Sequence, residues 1–110
     1  GMRKLYTKSG LEAMAEGDSS FIKLMLETFV NSCRDAIVDM EKAMTSADII
    51  AINRTAHKIK PSVDTVAPAL SEGVRKLETM SDVNEVSSVE QFAADLRASV
   101  DQIEADLSQE

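Results

Sequence analysis

One histidine, His57, stands in the string Ala56-His57-Lys58-Ile59-Lys60-Pro61-Ser62, and the 110-residue sequence holds no second imidazole. Imidazole is the side chain whose unperturbed titration falls near neutrality, and its neutral ring nitrogen is a nucleophile able to take up a phosphoryl group. Lys60 lies three residues on, about one helical turn along the same side. Its ammonium is placed to offset the charge of a phosphoryl dianion. Lys58 flanks the histidine but points roughly 100° further round a helix. The competing reading is an ordinary surface histidine, and the surroundings of the ring must decide between the two.

Other chemistries find less support. A zinc site needs several His, Cys or carboxylate ligands converging, whereas the sequence has one histidine and one cysteine, Cys33. Cys33 falls on an apolar stripe and reads as a small core residue; without a second histidine it lacks the base of a cysteine protease. Neither a GxxxxGK[ST] nor a GxGxxG phosphate loop occurs, so ATP binding and autonomous kinase activity have no motif to carry them. Glu12, Glu16, Asp35, Asp39 and Glu41 read as solvated faces, and the methionines, at core spacing, as packing.

The elements that must position His57 are helices. Ala, Leu, Met, Glu and Lys are abundant, while aromatics are 4% of the chain and prolines number two, a composition that favours an all-α fold. One domain is expected over 2–110, with Gly1-Met2 read as a tag remnant ahead of a native start and the compact length as a free-standing unit. The charge is -7, from 19 acidic and 12 basic residues. Such a field repels nucleic acid and anionic membranes. No apolar run approaches the 18 or so residues of a membrane span, and a lone cysteine suits a reducing compartment, so a cytoplasmic location is expected.

A short helix is predicted over 10–16, stopped by Gly17. Asp18, Ser19 or Ser20 then caps a long helix to about Thr45, burying Ile22, Met25, Leu26, Phe29, Cys33, Ala36, Ile37, Met40 and Met44. A second helix starts near Ala47-Asp48. Its apolar residues Ile49, Ile52, Ala56, Ile59, Val63, Val66 and Leu70 recur at spacings of three and four, the mark of one buried stripe. His57 projects roughly 120° from the middle of that stripe and should stand in water. Its helical neighbours are Asn53, Arg54, Lys60, Pro61 and Asp64. A break at 64–67 precedes a third helix from Ala67 to Met80, with Pro68 in its first turn and Leu70, Val74 and Leu77 as its apolar edge. After a polar turn at 81–85, the last helix runs from Ser87 to Leu107 on Val89, Phe92, Leu96, Val100, Ile103 and Leu107. Short connections make the expected architecture an antiparallel up-down four-helix bundle with the additional N-terminal helix as a lid.

Pro61 is out of place mid-helix. It has no N–H, and its ring crowds the carbonyl four residues earlier, that of His57, at a cost of about 3 kcal/mol. Two readings stay open: the kink and absent donor shape a docking surface beside the imidazole, or the proline only bends the helix toward its end.

At 56–70 the sequence resembles the histidine-containing phosphotransfer (HPt) domain of two-component phosphorelays, whose signature runs Ala-His-x-(Leu/Ile)-Lys-Gly-(Ser/Ala) with a small-residue pair about ten positions after the histidine. Ala56, His57, Ile59, Lys60 and Ser62 match, and Leu11-Glu12-x-Met14-x-x-Gly17-Asp18-x-x-Phe21 with Met25, Leu26 and Phe29 is similar to the family's lead-in. Tyr6 falls where the family often has an aromatic. Two departures stand out: Pro61 replaces the usual glycine, and the small pair reads Ala67-Pro68. Glycine would leave room for a partner's backbone, so with proline either the docking geometry differs or the ring becomes an apolar contact.

The resemblance implies that His57 takes a phosphoryl group from the aspartyl phosphate of one response-regulator receiver domain and returns it to another. Lys60 and Lys58 would stabilise the phosphorylated form. Magnesium and the catalytic groups would belong to the receiver, leaving this chain a phosphocarrier with no cofactor of its own. Docking would use Ile50, Asn53, Arg54, Pro61 and Asp64 in a small, transient interface. The partners would be receiver domains and a hybrid sensor histidine kinase, with the protein itself a monomer. The alternative is a non-phosphorylated helical module that docks and sequesters a receiver, in which His57 is dispensable.

Overall fold

Helix starts and stops follow from local chemistry in the computed structural model, which describes residues 3–109; the expected domain ends and the reading of Gly1-Met2 lie outside the described residues. α1 spans Ser9–Ala15 and stops where Glu16 and Gly17 turn left-handed, with φ 49° and 86°, a region glycine enters without steric cost. α2 spans Ser19–Thr45, its N-terminus capped by the Asp18 carboxylate accepting from the Ser20 and Phe21 amides. α3 spans Ile49–Val66, capped in the same way by Asp48 on the Ala51 amide. Each cap satisfies donors that a first helical turn leaves without partners.

The expected break at 64–67 narrows to Ala67, because α3 continues through Asp64 to Val66. The third helix also opens differently from expectation. Pro68–Leu70 form a 3₁₀ turn, and the α-helix proper, α4, spans Ser71–Glu78. The polar turn at 81–85 contains a second 3₁₀ turn, Val83–Glu85, which leads directly into α5 at Val86–Leu107.

α2 packs on α3 and α5, α3 on α4, and α4 on α5, closing a four-helix bundle, while α1 lies across α2 and α3. The stripes predicted from spacing meet inside. Leu26, Cys33 and Met40 of α2, Ala56 and Val63 of α3, Val74 and Leu77 of α4, and Leu96, Val100 and Ile103 of α5 are all buried. Val30 and Ala43 join them, whereas Ile22, Met25 and Met44 are only half-buried at the margin. A Cβ on Gly73 would lie 3.0 Å from the Phe92 ring, so the missing side chain lets α4 approach α5. Burial pushes the Cys33 thiol up to about 12, which keeps it protonated.

α4 is 8 residues long against 27 in α2 and 22 in α5, so it serves only part of the bundle's length. Elsewhere the N-terminal segment takes a place against α5. The Leu5 amide donates to Gln102 Oε1 at 2.7 Å, Ser99 Oγ donates to the Leu5 carbonyl at 2.9 Å, and Tyr6 is buried with its hydroxyl on Asp106. The Thr7 amide reaches the Val66 carbonyl at 2.8 Å, fastening the same segment to the end of α3.

Candidate functional site

Burial of one face of α3 decides where His57 points. Ile52, Ala56, Ile59, Val63 and Val66 are all inside, which rotates the imidazole outward and leaves its side chain 74% exposed. The ring is not isolated. Its Nδ1 contacts Glu78 Oε2 on α4. Lys60 Nζ donates to both oxygens of the same carboxylate, at 2.8 and 3.0 Å. The Lys60 hydrogen bond first, and the His57 contact second, hold the Glu78 carboxyl below its ordinary range. A carboxylate at Nδ1 makes that nitrogen the hydrogen-bond donor of a neutral ring. The Nε2 lone pair is then the free nucleophilic position.

The same seam continues in both directions. Asn53 Nδ2 donates to the carbonyls of Leu77 and Met80, at 2.7 and 3.0 Å, holding the C-terminal end of α4 against α3. Further along, Asp64 accepts from Ser71 Oγ and from both terminal nitrogens of Arg75, each at 2.7 Å. The Arg75 guanidinium and the Ser71 hydroxyl hold the Asp64 carboxyl well below the usual carboxylate range, and Asp64 in turn raises Arg75.

The structure thus brings His57 and Lys60 together around one acid, and places the other sequence-derived positions as follows. Lys58 points away from Glu78 and lines a polar groove with Ser32, Asp35 and Asp39 of α2. Ile50 is 64% exposed about two turns before His57, and Arg54 is exposed one turn before it. Pro61 is exposed within an unbroken α3 and borders an apolar groove with Met14, Met25 and Phe29. Asn53, half-buried, and Asp64, exposed, are engaged in the α3–α4 seam.

Sequence reasoning missed Glu78, Arg75 and Ser71 as members of this cluster. Their spacings of four and three form a polar edge on α4 that matches Asn53, His57, Lys60 and Asp64 on α3. That signal becomes readable only once the two helices are set antiparallel. Among the described residues no group of three or more His, Cys, Asp or Glu side chains is placed to hold a metal ion.

The family model for the Hpt domain matches residues 24–106, and this chain belongs to that family. Neither a search of curated proteins nor one of solved structures gives a significant match. Membership carries involvement in histidine-phosphotransfer phosphorelay signalling, in which Hpt domains act as phosphocarriers rather than enzymes and interact with receiver domains and histidine kinases. No helix among the described residues is long and apolar enough to cross a membrane.

Proposed function

We propose that His57 is the phosphoacceptor of this domain and that Nε2 is the reacting atom. The observation that carries this reading is the exposed imidazole whose Nδ1 is held by Glu78. The Nε2 lone pair attacks the phosphorus of a receiver's aspartyl phosphate. The P–O bond to the aspartate breaks, the carboxylate leaves on the receiver, and an Nε2–P bond forms. The proton stays on Nδ1, so the ring becomes cationic as the bond forms, and the Glu78 carboxylate stabilises that charge, the role an acid plays behind any histidine in a triad. Return of the group to a second receiver reverses each of these steps.

Lys60 is the cation available to the phosphoryl oxygens. Its Nζ is already within the cluster, and an ammonium can share its donors between Glu78 and an incoming anion. Lys58, on the α2 side, contributes to the field rather than to a direct contact. Magnesium and the groups that activate the aspartyl phosphate belong to the receiver; this chain needs no cofactor. Ile50 and Arg54 form the contact surface together with the main chain beside Pro61, while Asn53 and Asp64 hold α4 in register beneath it. The interface is small and short-lived, the carrier is a monomer, and it works in the cytoplasm between receiver domains and a hybrid sensor kinase.

Incubation with a labelled phospho-receiver tests the proposal. Acid-labile, alkali-stable label on the wild type and none on His57→Gln is the expected result. Binding of the receiver without label transfer would favour a sequestering module instead. Label retained by His57→Gln would remove His57 from the role.

A further inference from the structure

Pro61 sits inside α3, one turn past His57, and the helix runs through it to Val66 without a break. A proline at this position cannot donate to the carbonyl four residues earlier, and its ring pushes that carbonyl away from the helix axis. The carbonyl concerned is that of His57. The side chains that frame it, His57, Lys58, Pro61 and Ser62, are all exposed, which places this carbonyl on the solvent side of α3, next to the imidazole. A helix-interior carbonyl normally has one of its two lone pairs taken by the amide four residues on. Here that amide is missing, within a turn of the reacting nitrogen.

We infer that the His57 main-chain carbonyl is a partner-selecting acceptor: it takes a hydrogen bond from an N–H or O–H group that a receiver carries beside its phosphoaspartate. The inference rests on the receiver reading above. A receiver that reaches Nε2 must also cover this oxygen, since residues 57 and 61 are about 6 Å apart along the helix. Covering it with a donor replaces the water it holds. Covering it with an apolar group strands a buried acceptor, which costs more than the bond itself contributes. The carbonyl therefore acts chiefly by rejecting receivers that lack the donor.

The test varies the carbonyl and the ring separately. Pro61→Ala restores the amide, returns the His57 carbonyl to the helix and raises the melting temperature, so loss of folding does not cloud the result. Its expected effect is a Kd for the phospho-receiver weaker by about 2- to 10-fold, with the transfer rate at saturating receiver unchanged. Discrimination among a panel of receivers should shrink in the same variant. A semisynthetic chain with lactic acid at position 61 has neither ring nor N–H, and should keep the wild-type affinity. In the wild type the ¹³C shift of the His57 carbonyl should move on receiver titration. Unchanged affinity and selectivity in Pro61→Ala would overturn the inference, as would loss of affinity in the lactic acid chain, which would assign the effect to the ring. Absence of label on wild-type His57 with every receiver would instead overturn the phosphoacceptor reading, a separate outcome.

Discussion

Two polar seams fasten short segments to the long helices, and they are made of different bonds. Between α3 and α4 the Lys60–Glu78 and Arg75–Asp64 links are ion pairs open to solvent on one side, with His57 on the same Glu78 carboxylate. Between the N-terminal segment and α5 they are mainly neutral: the Leu5 amide on Gln102, Ser99 Oγ on the Leu5 carbonyl, and Gln102 Nε2 on the Arg3 carbonyl. Ser99 is fully buried, and Asp106 is the acid of this group, taking the Tyr6 hydroxyl and, at 3.9 Å, the exposed Lys4 ammonium. Charged surface bonds respond to salt and pH, while buried neutral ones scarcely do. The seam proposed to carry the chemistry is thus the more adjustable one, and the N-terminal attachment the less.

The largest effect should come from the less adjustable side. Tyr6→Ala removes a buried aromatic and should cost about 3–5 kcal/mol by urea unfolding, without altering the phosphotransfer rate of the folded protein. A small loss there would mean that the segment is a surface decoration and that the contrast fails. Asn53→Ala should cost about 2 kcal/mol, because the carbonyls of Leu77 in α4 and of Met80 just past its end lose a half-buried donor. It should also speed amide exchange at the end of α4 while leaving α5 unaffected. Ser99→Ala, which leaves one carbonyl without its donor, should cost about 1 kcal/mol, and equally so in low and high salt.

The smallest effect is the pH response of the adjustable seam. Glu78 and Asp64 are both held below their ordinary values of 4.5 and 3.8. Below those values the unfolded chain binds protons that the folded chain still excludes, so their contribution is fully present above about pH 5 and lost as pH falls through the folded values. The combined Glu78→Gln and Asp64→Asn variant should therefore lose less stability than the wild type between pH 5 and 3, read as urea midpoints. Parallel curves would show that the charged bonds add nothing to the fold.

The parts legible in the sequence were those that depend on one helix at a time. The alternating three and four spacing from Ile49 to Val66 established both the buried stripe of α3 and the outward direction of His57; Leu70, which continued that spacing in the sequence, belongs to the 3₁₀ turn beyond it. Asp18, Ser19 and Ser20 announced the start of α2, with Asp18 proving to be the cap, and Gly17 announced the end of α1. Glu78 was not legible as a partner of His57, because that contact depends on how α3 and α4 slide past each other, a quantity set by core packing across the whole bundle. The attachment of residues 3–8 escaped for a related reason: an extended segment bonded through its main chain leaves no periodic trace. The 3₁₀ turn at Pro68–Leu70 was hidden because Ala67 and Pro68 fit the start of either kind of helix.

The burial of Cys33 has a practical consequence. Thiolates are the strongest nucleophiles among common side chains, yet this thiol, buried to 1% exposure and kept protonated, is shielded from alkylating reagents and peroxides in the folded protein. A cysteine introduced anywhere on the surface would therefore react alone. Dyes, spin labels or crosslinkers could be attached at one chosen site without first engineering the native thiol away, and the docked complex could be followed in the unaltered core.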